Sequence, residues 1–252
     1  MTSPATPPPL AGIAGGRFAG RAGGARPLWR NELGGVTWDL GDGTVLKWSP
    51  PGAPALGPEI ARLRWAGAFT TVPEVVDAGS EPTGEWMLTR LLPGRAAVDP
   101  AWRARPGRAV EGLGRGLRAL HDALPVHACP FAWSVAERLA VVVPGAPPDV
   151  REALAHPPPV DVAVVCHGDA CAPNTLLGDD GRPTGHVDMG SLGVADRWAD
   201  IAVATLSLGW NYDGDHEERF LNAYGVAPDP VRTAYYRTLW NHTGDAHLIP
   251  RA

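Results

Sequence analysis

Lysine is almost absent from this chain: of 22 cationic side chains one is Lys47, and every other is arginine. Cysteine is scarce and odd in number. Cys129, Cys166 and Cys171 form no Cys-x-x-Cys pair, which fits reduced thiols in a cytosolic protein better than a disulfide framework; no metal is assigned to them. No apolar run reaches about 18 residues, so no membrane span is expected. The first 27 residues, rich in Pro, Gly and Ala and broken by arginines, lack the apolar stretch of a signal peptide. A net charge of −5 comes without the clustered cations of phosphate-backbone binders, so no nucleic acid partner is expected. A cationic small molecule remains compatible.

What is present divides the chain in three. Residues 1–27 read as a disordered Pro/Gly/Ala-rich arm. Residues 28–92 read as an N-lobe, a nucleotide-binding β-sheet with one helix, and residues 93–252 as a helical C-lobe. Within the N-lobe, Gly34-Gly35, Val36 to Leu40, a Gly41-Asp42-Gly43 turn and Thr44 to Trp48 spell a β-hairpin. Lys47 lies on its second strand, where a compact ammonium can reach phosphate oxygens from a sheet surface. The glycines before the hairpin suit a close approach of backbone amides to phosphate, and equally suit a plain turn. Pro58 opens a helix carrying Glu59, which can pair with the lysine or simply favour the helix N-terminus. Arg90-Leu91-Leu92-Pro93-Gly94 reads as a hinge offering backbone groups to a nucleotide base, or as an ordinary loop.

The chemistry concentrates in Cys166-His167-Gly168-Asp169 through Asn174, followed by His186-Val187-Asp188-Met189-Gly190. Asp169 is the candidate base that orients an attacking hydroxyl. Asn174 and Asp188 offer the oxygen ligands that Mg2+ prefers, and a hairpin across Asp179-Asp180-Gly181 would bring them together. His167 is assigned to ordering the loop. Each of these motifs is also ordinary turn chemistry taken singly; their joint order with Lys47 and Glu59 points to a phosphotransferase.

These segments, together with Val187 to Asp200 and Leu120-His121 through Phe131, resemble the aminoglycoside 3'-phosphotransferases over most of residues 28–240. The likeness is strong after the hinge and looser before it. The resemblance implies an α+β, two-lobed protein-kinase-like fold, and ATP or GTP with Mg2+ as co-substrate. It also implies transfer of the γ-phosphate to an aminoglycoside hydroxyl, which confers antibiotic resistance. Carried over residue by residue, Asp169 is the base, Asn174 and Asp188 hold metal, and Lys47 with Glu59 positions phosphate; Gly34, Gly35, Arg90 and Leu92 are nucleotide-side candidates from their positions in the chain alone. Ser191 departs from the arginine usual there, and Trp240-Asn241-His242-Thr243 departs from the usual acidic, aromatic end. The acidic residues Asp213, Asp215, Glu217 and Glu218, with Trp210 and Tyr212, are the candidates to receive amines, the other reading being a solvated surface. A kinase of another hydroxylated amine or sugar, a non-catalytic nucleotide-binding module and a metal-dependent hydrolase are the competing functions. The protein is expected to act as a monomer or weak dimer.

Overall fold

The computed structural model describes residues 10–21, 23–140 and 146–242. An antiparallel sheet in the order β1-β2-β3-β5-β4 forms the first lobe, from β1 (Arg26–Arg30), β2 (Val36–Asp39), β3 (Thr44–Ser49), β4 (Val75–Glu81) and β5 (Gly84–Arg90). Helix α1 (Gly57–Ala66) is inserted between β3 and β4. The two-residue alternation of β3 sorts its side chains by face. Leu46 and Trp48 are buried with Val36, Trp38, Trp86 and Leu88 on one side, while Lys47 between them projects from the other. The hairpin register sets Lys47 opposite Thr37 and Met87.

The arm is corrected by the structure where it is described. Leu10–Gly16 and Ala19–Arg21 form short 3-10 turns, and Leu10, Ile13 and Phe18 are buried in the sheet's core. Phe18 meets Trp86 edge-on at 5.3 Å, and Arg17 pairs with Asp77 at 2.7 Å. A Pro/Gly/Ala average hides three large apolar groups, each worth about 1.5–3 kcal/mol when buried. Residues 1–9 of that arm, and the chain from Thr243 onward, lie outside the described residues.

The second lobe contains β6 (Arg95–Ala96), α2 (Pro100–Arg103), α3 (Pro106–Ala123), α4 (Val135–Ala140), α5 (Pro148–Ala155), β7 (Ala163–Cys166), β8 (Thr175–Leu177), β9 (Pro183–His186), β10 (Gly193–Asp196), α6 (Trp198–Asn211), α7 (Glu217–Tyr224) and α8 (Pro230–His242). Helix α3 is its axis. Its glycines, unfavourable for helix by about 1 kcal/mol each against alanine, let neighbours approach closely. A Cβ at Gly112 would lie 2.7 Å from Gly181 O on the β8–β9 hairpin, and one at Gly114 would lie 2.6 Å from Phe220 O on α7. The hairpin thereby sits against α3, and its open end holds Asn174 and Asp188. Among the described residues, no helix is long and apolar enough to cross a membrane.

Candidate active site

Strand β3 and helix α1 bring two distant charges together. Lys47 Nζ donates to Glu59 Oε2 at 2.7 Å and to Asp188 Oδ1, across the lobes, also at 2.7 Å. Pro58 sits in the first turn of α1, and the Leu56 N–H ahead of that turn is taken by Glu85 Oε2 at 2.7 Å. Burial alone would push the Lys47 ammonium down, but the carboxylates of Asp188 and Glu59 outweigh it and hold the pKa above its ordinary value. The Lys47 charge holds Asp188 below the usual carboxylate range. Glu59 moves up instead, because its burial outweighs the attraction of the ammonium. Asp188 has φ of 61°, a left-handed conformation that aspartate tolerates better than most side chains.

The loop between β7 and β8 supplies the second half of the site. Asn174 Nδ2 donates to the Asp169 carbonyl at 3.0 Å and to Asp169 Oδ2 at 3.1 Å. That orientation leaves the carboxamide oxygen available as a cation ligand. Val187 N donates to Asn174 O at 2.9 Å, and Thr175 pairs with His186, so the hairpin sets Asp188 beside Asn174. The oxygen-only donor set of Asn174 and Asp188 fits Mg2+. His167 ties the two strands of this corner. Its Nε2 donates to Val187 O at 2.9 Å, and with that tautomer Nδ1 accepts from Asp169 N at 3.3 Å. Gly168, at φ of 84°, cannot be exchanged: a Cβ there would lie 2.1 Å from Ser191 O.

Beneath the loop is a buried network that sequence reasoning missed. Asp200, on the first turn of α6 and fully buried, accepts His167 N at 2.6 Å, Gly168 N at 2.9 Å and His121 Nε2 at 2.9 Å. His121 Nδ1 in turn meets the Tyr224 hydroxyl at 2.8 Å. Burial works against the Asp200 charge, yet the hydrogen bonds and proximity of His121 outweigh it and keep the carboxyl below its usual range. The available signal was an ionisable residue inside the apolar stretch Ala199 to Ala204. Ser207, two turns further along α6, accepts Ala172 N at 2.9 Å. His186 is buried between Thr175 and Gly116, and burial, aided by His167, lowers its pKa to about 3. Burial pushes the Cys166 and Cys171 thiols up, away from thiolate chemistry.

The remaining candidates are placed less directly. Asn31 engages both turn glycines: its carbonyl accepts Gly34 N at 3.1 Å and its Oδ1 accepts Gly35 N at 2.7 Å. In the hinge, Arg90 N donates to Glu74 O at 2.9 Å and Leu91 N to Gly43 O at 2.9 Å. Leu92 reaches the second lobe, where a Cβ on Gly185 would lie 2.8 Å from Leu92 Cδ1. In the α6–α7 turn, Asp213 and Glu218 are exposed. Asp215 Oδ1 accepts Glu217 N at 3.0 Å, and Glu217 pairs with Arg237 at 2.7 Å. Tyr212 offers no open face, being buried with its hydroxyl on Ala97 O at 2.6 Å. Trp210 is 38% exposed and packs on Trp240.

A β-lobe lysine held by a helix glutamate, above a helical lobe whose loop presents Asp169 and Asn174 beside Asp188, defines a protein-kinase-like phosphotransferase. The profile of the Phosphotransferase enzyme family matches residues 35–236. An aminoglycoside 3'-phosphotransferase of Streptomyces fradiae is 36% identical over 211 residues, covering 73% of this chain and 78% of the relative. A streptomycin 3''-kinase of Streptomyces griseus is 30% identical over 276 aligned positions, covering 92% and 94%. An aminoglycoside phosphotransferase of Streptomyces rimosus superposes with a TM-score of 0.70 at 28% identity, covering 90% of this chain and 95% of that one. A structure of that enzyme with ADP and streptomycin gives 0.65, covering 87% and 92%. This chain belongs to the phosphotransferase enzyme family, among its aminoglycoside phosphotransferases.

Proposed function

We propose that the protein transfers the γ-phosphate of ATP to a hydroxyl of an aminoglycoside. The contact of Lys47 with both Glu59 and Asp188 carries this reading, since it sets a cation between the nucleotide lobe and the metal corner. ADP in the Streptomyces rimosus structure supports an adenine nucleotide. Asn174 and Asp188 would hold Mg2+, which neutralises triphosphate charge when bound. Lys47 neutralises further phosphate charge, and Glu59 keeps its ammonium in place. Asp169 orients the acceptor hydroxyl and takes its proton, with Asn174 Nδ2 steadying the carboxylate. The free, largely buried thiols support a cytosolic setting.

Streptomycin-type acceptors are the finer reading. The streptomycin kinase aligns over 92% of this chain, against 73% for the Streptomyces fradiae enzyme. The test is an ADP-release assay over kanamycin-, neomycin- and streptomycin-type compounds, with Asp169→Asn as control. Turnover of at least one compound is expected, reduced about 10²–10⁴-fold in the variant. No turnover above the control on any of them would remove the substrate assignment.

A further inference from the structure

Helix α1 grips the second lobe through two side chains that the mechanism above does not use. Arg62, one turn beyond Glu59 and so on the same helix face, donates from Nε to the Leu192 carbonyl at 2.7 Å. Its Nη1 donates to Pro58 O at 3.1 Å, and its guanidinium lies 4.7 Å from the Phe131 ring centroid. Trp65 donates from Nε1 to Ala128 O at 3.2 Å and meets Phe131 edge-on. Both side chains touch Phe131, but their hydrogen bonds land on different parts of the molecule. Trp65 reaches the connection after α3, whereas Arg62 reaches the turn that follows Asp188.

That turn is closed by Leu192 N on Met189 O at 3.1 Å. Its Ser191 backbone presses on Gly168 of the catalytic loop, where an added Cβ would come within 2.1 Å. On the other side, a Cβ at Gly190 would lie 3.7 Å from Glu59 Cβ. Leu192 itself is fully buried, so its carbonyl needs a protein donor. A charged one is the stronger choice. One helix face therefore delivers Glu59 to the lysine and Arg62 to the backbone that carries Asp188.

We propose that Arg62 is a positioning residue for the magnesium–nucleotide complex, fixing the place of Asp188 by holding the Leu192 carbonyl from the helix that bears Glu59. This rests on the phosphotransferase reading above. Three variants of the full chain test it: Arg62→Met, Arg62→Lys and Trp65→Phe. In metal-free protein, amide exchange across residues 188–193 is expected to accelerate about tenfold in Arg62→Met, the scale of one charged hydrogen bond. Calorimetric ATP titration at graded Mg2+ is expected to show the Mg2+ requirement raised about 10–100-fold in the same variant. Arg62→Lys, which can still donate to Leu192 O, is expected to recover part of both. Trp65→Phe should lower the melting temperature while leaving both readouts at parental values.

Parental exchange and parental Mg2+ requirement in Arg62→Met would overturn the proposal. So would equal shifts in Arg62→Met and Trp65→Phe, which would make Arg62 a structural tether only. If Arg62→Met does not fold, Arg62→Leu, which likewise removes the donor to Leu192 O, decides by the same criteria. A parent protein that binds Mg2+-ATP but phosphorylates no aminoglycoside would sink the substrate reading and leave this inference standing.

Discussion

Asp200 holds the catalytic loop with none of its side chain exposed and three donors upon it, whereas at the lysine corner 25% of the Lys47 side chain and 49% of Asp188 remain open to solvent. The first arrangement is complete before any ligand arrives. Its donors are backbone amides and a buried imidazole, which have no alternative partner once water is excluded. The second is held by charge, and its partners can be exchanged: an ammonium shared by two carboxylates can turn to phosphate oxygens without breaking the fold. The loop that bears Asp169 is thus preorganised, while the partners of Lys47 are exchangeable.

The comparison breaks most visibly at Asp200. Asp200→Ala would strand two loop amides and His121 in a dry interior, and a loss of about 3–5 kcal/mol is expected. Urea unfolding measures it, and activity should disappear with it. A loss below 1 kcal/mol would show that the loop holds itself. Lys47→Met addresses the other side. It should lower kcat/KM for ATP about 10²–10³-fold, with a urea midpoint far closer to the parent than that of Asp200→Ala. Equal destabilisation in the two variants would mean that the lysine corner is as structural as the Asp200 network.

The pH dependence sharpens the same point. His186 is held neutral in the folded state with a pKa near 3, against 6.5 ordinarily. Between those values the unfolded chain binds more protons at this site, so stability falls as pH is lowered through that window, by up to about 1.4 kcal/mol per unit. Asp200, held below its usual value, adds a loss in the same direction at the acid end. His186→Gln should flatten the slope between pH 6 and pH 4 in urea unfolding. An unchanged slope would place the acid sensitivity elsewhere.

Most of this architecture was legible because the signals were local. The Gly41-Asp42-Gly43 turn, Pro58 ahead of Glu59, and the Asp169 to Asn174 spacing are each read within a few residues, and the structure folds each nearby. What was not legible depends on partners far along the chain. Asp200 meets His121 across 79 positions, and no periodicity signals that pairing. The glycines of α3 mark where the β8–β9 hairpin and α7 press against the helix, and those neighbours too lie far along the chain. Composition misled at the N-terminus, where Leu10, Ile13 and Phe18 are enough to dock a Pro/Gly/Ala-rich segment.

The smallest effect concerns the acidic turn, where half of the carboxylates already have structural work. Asp215 bonds the Glu217 amide and Glu217 holds Arg237, so neutralising either confounds binding with folding. Asp213 and Glu218 are exposed, so neutralising them tests the amine-binding proposal with little effect on folding. In the double variant Asp213→Asn with Glu218→Gln, a combined exposed-charge contribution of about 0.4–1 kcal/mol translates into a rise in aminoglycoside KM of about two- to fivefold, with kcat and the urea midpoint unchanged. High salt should compress that difference, because screening falls on exposed charges and spares the buried Asp200 network. A KM equal to the parent at low salt would return this turn to a solvated surface.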